Sequence, residues 1–109
     1  MENSRVDTFR RLLERDPNNP MVLYSLGKEL FKNQEYTEAR EYLSRAVRNK
    51  TDYSVAYRML GRALYELRED AEARRVFAEG REVARSNGDL QTVKEIDIFM
   101  RRLEKRQKG

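Results

Sequence analysis

The residue types that most often carry out catalysis are missing from this chain. It contains no histidine and no cysteine among its 109 residues, so the commonest general base, the thiol nucleophile and the usual nitrogen and sulfur metal ligands are absent. The acidic cluster of Glu66, Glu69 and Asp70 is interrupted by Arg68, which indicates a solvated turn and not a metal site. Neither mid-chain glycine opens a helix after a strand, as a phosphate-binding loop would. We therefore expect no enzymatic activity, no metal and no cofactor.

The charged residues that remain are arranged for helix surfaces. They make up 39% of the chain, yet the net charge is only +4 because acids and bases are interleaved. Pairs such as Asp7 with Arg11 and Glu41 with Arg45 are four residues apart with the acid first, an arrangement that stabilises helices. Only residues 101–108 are locally basic. A nucleic-acid interface normally needs a larger one-sided patch, so this pattern disfavours nucleic acid as a partner.

Targeting segments are not evident in the sequence. Residues 1–9 show no basic segment followed by an apolar one, and the apolar runs, such as residues 21–24, are short. The sequence therefore predicts neither a secretory signal nor a membrane-spanning helix. We expect one cytoplasmic domain without contact to a membrane.

An internal repeat of 34 residues organises the chain. A shift of 34 places Leu-Gly at residues 26–27 on the same pair at 60–61, and Glu-Ala-Arg at 38–40 on the same triplet at 72–74. Each glycine interrupts a helical pattern and costs about 1 kcal/mol relative to alanine. We therefore expect both glycines to lie where a neighbouring helix approaches closely.

Helical patterns dominate, and we predict an all-α fold. Asn19 is the expected cap of the second helix, and Asp52 and Asp89 are the expected caps of the fourth and the last. The predicted helices span residues 4–16, 20–32, 36–49, 53–67, 70–85 and 90–106. In the last helix the 34-residue register fails, so we expect it to act as a cap and not as a third unit. Its covering face is predicted to be Val93, Ile96, Phe99, Met100 and Leu103, with Ile98 on the other side.

These residues resemble the tetratricopeptide repeat, a 34-residue helix–turn–helix unit with Leu-Gly in its first helix and Ala in its second. The matching positions include Leu26, Gly27, Ala39, Leu60, Gly61 and Ala73. The resemblance covers about residues 5–86 and implies a solenoid of about two and a half repeats plus a C-terminal capping helix. It divides the single domain, residues 1–109, into a half-repeat helix, two repeats and the cap, at 4–16, 20–53, 54–87 and 89–107. The end of the chain also resembles that of small, free-standing bacterial tetratricopeptide proteins.

Among the residues that depart from the family pattern, two in the second unit bear on its packing. Gly80 stands where the family has alanine, and Asp70 where it has an aromatic residue. We expect both departures to loosen the packing of this unit.

The resemblance implies a binding function, because the first helix of each unit lines a concave groove in such arrays. The side chains expected to line this groove are Met21, Tyr24, Lys28, Phe31, Lys32, Val55, Arg58, Arg62 and Tyr65. Aromatic and arginine side chains are frequent at binding hot spots, so the expected ligand is a peptide or protein segment. The alternative is that the aromatic residues only pack and that the cations form a solvated face.

Chaperone-binding relatives hold a carboxylate terminus with a lysine and asparagines. Here those positions are Tyr24, Lys28 and Met59, so that clamp is not reproduced.

Two other functions stay open. A self-associating scaffold is suggested by the short array, by Ile98 and by the apolar edge of the half-repeat, and a monomer or weak homodimer is expected. An RNA-associated protein is suggested by the basic segment 101–108.

Overall fold

The computed structural model describes residues 4–109 and shows six α-helices and no strand within that range. The helices are α1 (Ser4–Arg15), α2 (Pro20–Lys32), α3 (Tyr36–Asn49), α4 (Ser54–Glu66), α5 (Asp70–Ser86) and α6 (Leu90–Lys108). The predicted all-α fold is confirmed. The largest difference in helix bounds is at the end of α6, which was expected at Arg106 and lies at Lys108. Residues 1–3 of the single expected domain lie outside the described residues.

The helices stack in chain order, and the helices α2, α4 and α6 also contact one another in sequence. Each helix packs against the next, and α4 additionally contacts α2 on one side and α6 on the other. The resulting body measures 43 × 32 × 19 Å. The core runs along the stack and includes the fully buried side chains Leu23, Leu26, Leu30, Leu43, Leu64, Phe77, Ile96 and Leu103. This is the solenoid arrangement in which each helical hairpin buries its apolar face on its neighbours.

Both repeated glycines lie at close helix–helix approaches. A Cβ atom at Gly27 would be 2.6 Å from Cγ of Leu43, and one at Gly61 would overlap the ring of Phe77. Leu43 and Phe77 occupy the same position in successive units and are fully buried. The close approach predicted from the sequence is therefore present at both sites. The other matching positions, Leu26, Ala39, Leu60 and Ala73, are also buried.

The expected loosening of the second unit is wrong at Gly80, and at Asp70 it stays a prediction. A Cβ atom at Gly80 would be 2.6 Å from Cβ of Tyr57 and 3.2 Å from Cδ1 of Ile96, so the glycine lets α4 and α6 approach α5 closely. Asp70 forms an ion contact of 3.3 Å with Arg106, which ties the start of α5 to the end of α6. Gly80 is therefore a site of close helix packing, and Asp70 is a site of an ion contact between α5 and α6.

Two of the three predicted helix caps are confirmed. The side-chain oxygen of Asn19 accepts hydrogen bonds from the backbone of Met21 (3.1 Å) and Val22 (3.2 Å), and Asp89 accepts one from Thr92. The cap predicted at Asp52 is wrong, because α4 begins one residue later and its cap position is Tyr53, which makes no side-chain cap bond.

The last helix follows the repeat with an offset that the sequence comparison did not find. Helix α4 begins 34 residues after α2, whereas α6 begins 36 residues after α4, because α5 has 17 residues and α3 has 14. As a result α6 contacts α4 as α4 contacts α2. Of its predicted covering face, Ile96 and Leu103 are fully buried, Phe99 and Met100 pack against the core, and Val93 is half-buried. Ile98 is 42% exposed, as predicted.

Candidate functional site

The residues predicted to line a groove lie on α2 and α4, and α6 extends the surface they share. We call this surface the α2–α4–α6 face and define it by Tyr24, Lys28, Arg62, Phe99 and Arg102. Three rows of side chains cross it from one helix to the next.

The first row joins the three helices through Arg58. Its guanidinium donates a hydrogen bond of 2.8 Å to Glu95 of α6, and the Arg58 side chain is only 16% exposed. Burial raises the pKa of Tyr24 on α2, and the nearby positive charge of Arg58 partly opposes that shift. The Tyr24 ring also packs on Tyr53, with ring centroids 5.2 Å apart. Arg58 is thus already paired with Glu95 within the protein, and Tyr53 packs on the Tyr24 ring.

The second row places Arg62 between two aromatic rings. Its guanidinium carbon lies 4.8 Å from the ring centroid of Phe31 on α2 and 5.1 Å from that of Phe99 on α6. Burial lowers the pKa of Arg62, and repulsion from Arg58 adds to this. Within residues 4–109 its Nε atom has no hydrogen-bond partner. Arg62 is therefore a half-buried cation between α2 and α6, and no carboxylate within residues 4–109 forms an ion pair with it.

Arg102 lies beside the same row. Its guanidinium carbon is 4.8 Å from the ring centroid of Phe99, and its side chain is exposed. It adds to the repulsion that lowers the pKa of Arg62. The negative charges of Glu66 and Glu95 partly oppose the lowering of the Arg62 pKa. Glu95 is already paired with Arg58. Together Arg62 and Arg102 form a basic pair around Phe99.

The third row is closed by α6. The guanidinium carbon of Arg106 lies 3.6 Å from the ring centroid of Tyr65. The Nη1 atom of Arg106 donates a hydrogen bond of 3.1 Å to the Tyr65 carbonyl. Phe99 meets the Tyr65 ring edge-on at 5.4 Å. Tyr65 is therefore a packing residue in this position. The basic segment is also partly structural, because Arg106 anchors α6 and Leu103 is fully buried.

The remaining predicted groove residues are Met21, Lys28 and Lys32 on α2 and Val55 on α4. Met21 is 67% exposed, Val55 is half-buried, and Lys28 is exposed. Lys32 forms an ion contact of 3.4 Å with Glu29. No carboxylate within the described range forms an ion pair with Lys28. Lys28 is thus a cation of the face that is available to a ligand.

Three residues of α6 were missed by the sequence prediction: Glu95, Phe99 and Arg102. Phe99 was expected only to cover the core, although it also forms one side of the Arg62 site. The reason is the offset of α6, which removes it from the 34-residue register. A search that allowed a shift of 36 would have aligned the start of α6 with that of α4.

The described residues contain neither a candidate metal-binding cluster nor a helix that could span a membrane. Residues 4–109 contain no group of three or more acidic side chains that could hold a metal ion. Over the same residues, no helix combines the length and apolar character that crossing a membrane requires.

Comparison with known proteins identifies the architecture. A family model described as the tetratricopeptide repeat matches residues 6–54 and 24–89. The chain belongs to the tetratricopeptide repeat family. The paired helices, the buried Leu-Gly positions and the glycine contacts with Leu43 and Phe77 are consistent with this assignment.

The similar proteins include a bacterial tetratricopeptide relative of nearly the same length. The TPR repeat-containing protein PA0015 of Pseudomonas aeruginosa is 28% identical over 100 residues, which cover 92% of this chain and 95% of the relative. The solution structure of protein BPP2914 from Bordetella parapertussis is 30% identical, with a TM-score of 0.82, and the match covers 97% of this chain and 91% of that one. The TPR2B domain of yeast Sti1, solved in a complex with pHsp70, has a TM-score of 0.87 at 18% identity. That match covers 93% of this chain and 81% of the Sti1 chain. The two solved structures share the helix arrangement of this chain.

Proposed function

We propose that this tetratricopeptide protein is a non-catalytic interaction module that binds a peptide or protein segment on the α2–α4–α6 face. The proposal rests chiefly on Arg62, a half-buried guanidinium between Phe31 and Phe99 that has no ion-pair partner within the described residues. A ligand carboxylate would supply the negative charge that this cation lacks. The Sti1 domain, which has the same fold, was solved in a complex with pHsp70, and this supports binding as the general role.

The charges of the face favour an acidic segment. Lys28, Arg62 and Arg102 are its cations without an ion-pair partner in the described part of the chain. The half-buried aromatic rings beside them supply apolar contact, and aromatic and arginine side chains are frequent at binding hot spots. We infer that the ligand carries acidic residues on either side of an apolar one.

The test is a selection of binding peptides from a random display library, followed by affinity measurements on variants. We expect the selected peptides to be enriched in Asp and Glu. The double variant Lys28→Glu, Arg62→Gln should bind them at least about tenfold more weakly, because two charge-assisted contacts are lost. Glutamine at residue 62 keeps a long side chain between the rings, so the fold is preserved, which circular dichroism would verify.

The matched control is Lys94→Glu, an exposed cation of α6 on the side opposite its buried residues. This variant changes the net charge as Lys28→Glu does but should bind like the wild type. Equal affinity of the double variant and the wild type for the selected peptides would overturn the proposal.

A further inference from the structure

The surface at the N-terminal end of the array contains a cleft between α1 and α2. It has a volume of about 290 Å³ and is lined by Arg5, Phe9, Tyr24, Ser25, Lys28, Glu29 and Lys32. On α1, Leu12 follows Phe9 by three residues, so it shares a helix face with Phe9, and it is 43% exposed. The cleft therefore combines apolar surface with a charged rim.

The internal repeat shows what normally fills such a cleft. A shift of 34 places α1 on α3 and α2 on α4, and the space beside α3 and α4 is occupied by α2, which contacts both. Phe9 corresponds to Leu43, which is fully buried against α2. Ser25 and Glu29 correspond to Met59 and Ala63, which are buried as well. The equivalent occupant of the α1–α2 cleft is therefore a helix.

The charges around the cleft decide which helix fits. Two cations, Lys28 and Lys32, line the cleft with one acid, Glu29, which already forms ion contacts with Arg5 (3.6 Å) and Lys32 (3.4 Å). In the second unit Lys28 and Lys32 are replaced by Arg62 and Glu66, and Arg5 by Ala39. The first cleft is thus more basic than its filled counterpart. An acidic helix would complement this excess of positive charge.

The outer face of α6 is a poor match for this cleft. Its exposed residues opposite the buried side include Lys94, Arg101 and Lys105, so a second copy docking end to end would bring two basic surfaces together. This repulsion argues against head-to-tail self-association through these surfaces.

We propose that the α1–α2 cleft receives an amphipathic helix of a partner protein, with its apolar stripe on Phe9 and Leu12 and its acidic flanks beside Lys28 and Lys32. This proposal extends the proposed function, on which it rests, because Tyr24 and Lys28 border both surfaces. It names a helix, in place of an extended segment, as the bound form at this end of the array. The helix completes the unit to which α1 belongs.

The experiment uses a fluorescein-labelled peptide of about 14 residues, close to α2 in length, with leucines at helical i, i+3, i+4 and i+7 spacing and glutamates on both flanks. Fluorescence anisotropy measures its affinity for the full chain. Ser25→Glu places an acid on the wall of the cleft and should weaken binding at least about tenfold, because the peptide flanks are acidic. Ser25→Gln is the neutral control and should bind within about twofold of the wild type. A second peptide with lysine in place of glutamate should bind far more weakly.

Two further measurements locate the peptide and define its form. Amide chemical-shift changes should centre on residues 5–12 and 24–32, and circular dichroism should show helix gained on mixing. Arg62→Gln should leave this affinity almost unchanged, because Arg62 lies outside the cleft. The cleft proposal is overturned if Ser25→Glu binds like Ser25→Gln, or if no helix is gained.

The same variants separate failure of the cleft from failure of the face. Loss of peptide binding in Arg62→Gln but not in Ser25→Glu would overturn the cleft while supporting the α2–α4–α6 face. If neither variant changes the affinity for any acidic peptide, including those selected from the library, both proposals fail.

Discussion

At the scale of single residues, the contact between Gly61 and Phe77 shows why a helix contains a residue of low helix propensity. The ring of Phe77 occupies the space that a Cβ atom at residue 61 would need, and Phe77 has no exposed surface through which to retreat. Gly27 and Leu43 repeat this contact one unit earlier. Leu43 is an aliphatic side chain with more rotamer freedom than a ring, so the two sites should differ in tolerance.

Gly61→Ala should lower the free energy of unfolding by about 1–3 kcal/mol, since overpacking a rigid core displaces the ring of Phe77. Gly27→Ala should cost less, and Gly27→Leu more than Gly27→Ala, because the added volume is larger. Urea denaturation followed by circular dichroism would measure all three. An exposed helical glycine would instead gain up to about 1 kcal/mol on the same change, so a stabilised Gly61→Ala would contradict the close approach.

At the scale of the elements, Asp89 connects the start of α6 to α4. One carboxylate oxygen accepts from the backbone of Thr92 at 3.2 Å and the other from the hydroxyl of Ser54 at 2.7 Å. The hydrogen bonds from Thr92 and Ser54 lower the pKa of Asp89. One side chain therefore caps α6 and holds it beside the first residue of α4.

Asp89→Ala should reduce the free energy of unfolding at pH 7 by about 1 kcal/mol, the usual cost of losing an acidic helix cap. The pKa of Asp89 is lower in the folded than in the unfolded chain, so its contribution is present above the unfolded value of about 3.9. That contribution is lost as the pH falls through the folded pKa. Urea unfolding at pH 7 and at about pH 3 should thus show a smaller difference between variant and wild type at the lower pH.

The control for this prediction is Asp89→Asn, which keeps one oxygen that can cap α6 and should cost less than alanine at pH 7. A difference between Asp89→Ala and the wild type that stays constant from pH 7 to pH 3 would show that the charge of Asp89 contributes nothing.

At the scale of the whole molecule, the array is held unequally at its two ends. Helix α6 packs on both α4 and α5. Two ion pairs join it to α5, one between Arg106 of α6 and Asp70, and one between Asp97 of α6 and Arg81. Helix α1 packs on α2 and reaches α3 through Arg10, which donates to Glu38 at 2.7 Å and to Tyr42 at 3.1 Å. In a solenoid, stability is approximately a sum over neighbouring units, so the end with fewer neighbours opens first.

Native-state hydrogen exchange should therefore show the amides of α1 exchanging faster than those of α4 and α5, with α6 closer to the centre than to α1. An acidic helical peptide bound in the α1–α2 cleft should slow exchange in α1 most, because it covers that end. Equal protection of all six helices in the free protein would contradict this, and would mean that the array opens only as one unit.

The sequence was sufficient for the helices and the repeat because both depend on local, periodic information. Helix bounds follow from caps such as Asn19 and from apolar spacing, and the Leu-Gly pairs mark the same packing contact twice. The wrong prediction of a cap at Asp52 shows the limit of local sequence information. An acid before a helix can pair with a neighbouring lysine, and Asp52 pairs with Lys50 at 2.8 Å.

The tertiary structure decided which side chains of the face are available. Arg58 and Arg62 have the same residue type and lie four positions apart, yet Arg58 is paired with Glu95 while Arg62 lies between Phe31 and Phe99. That difference depends on α6, whose two-residue offset hides it from the repeat register. Contacts between helices that are distant in sequence determine which cations remain unpaired. The periodicity of the sequence does not reveal these contacts.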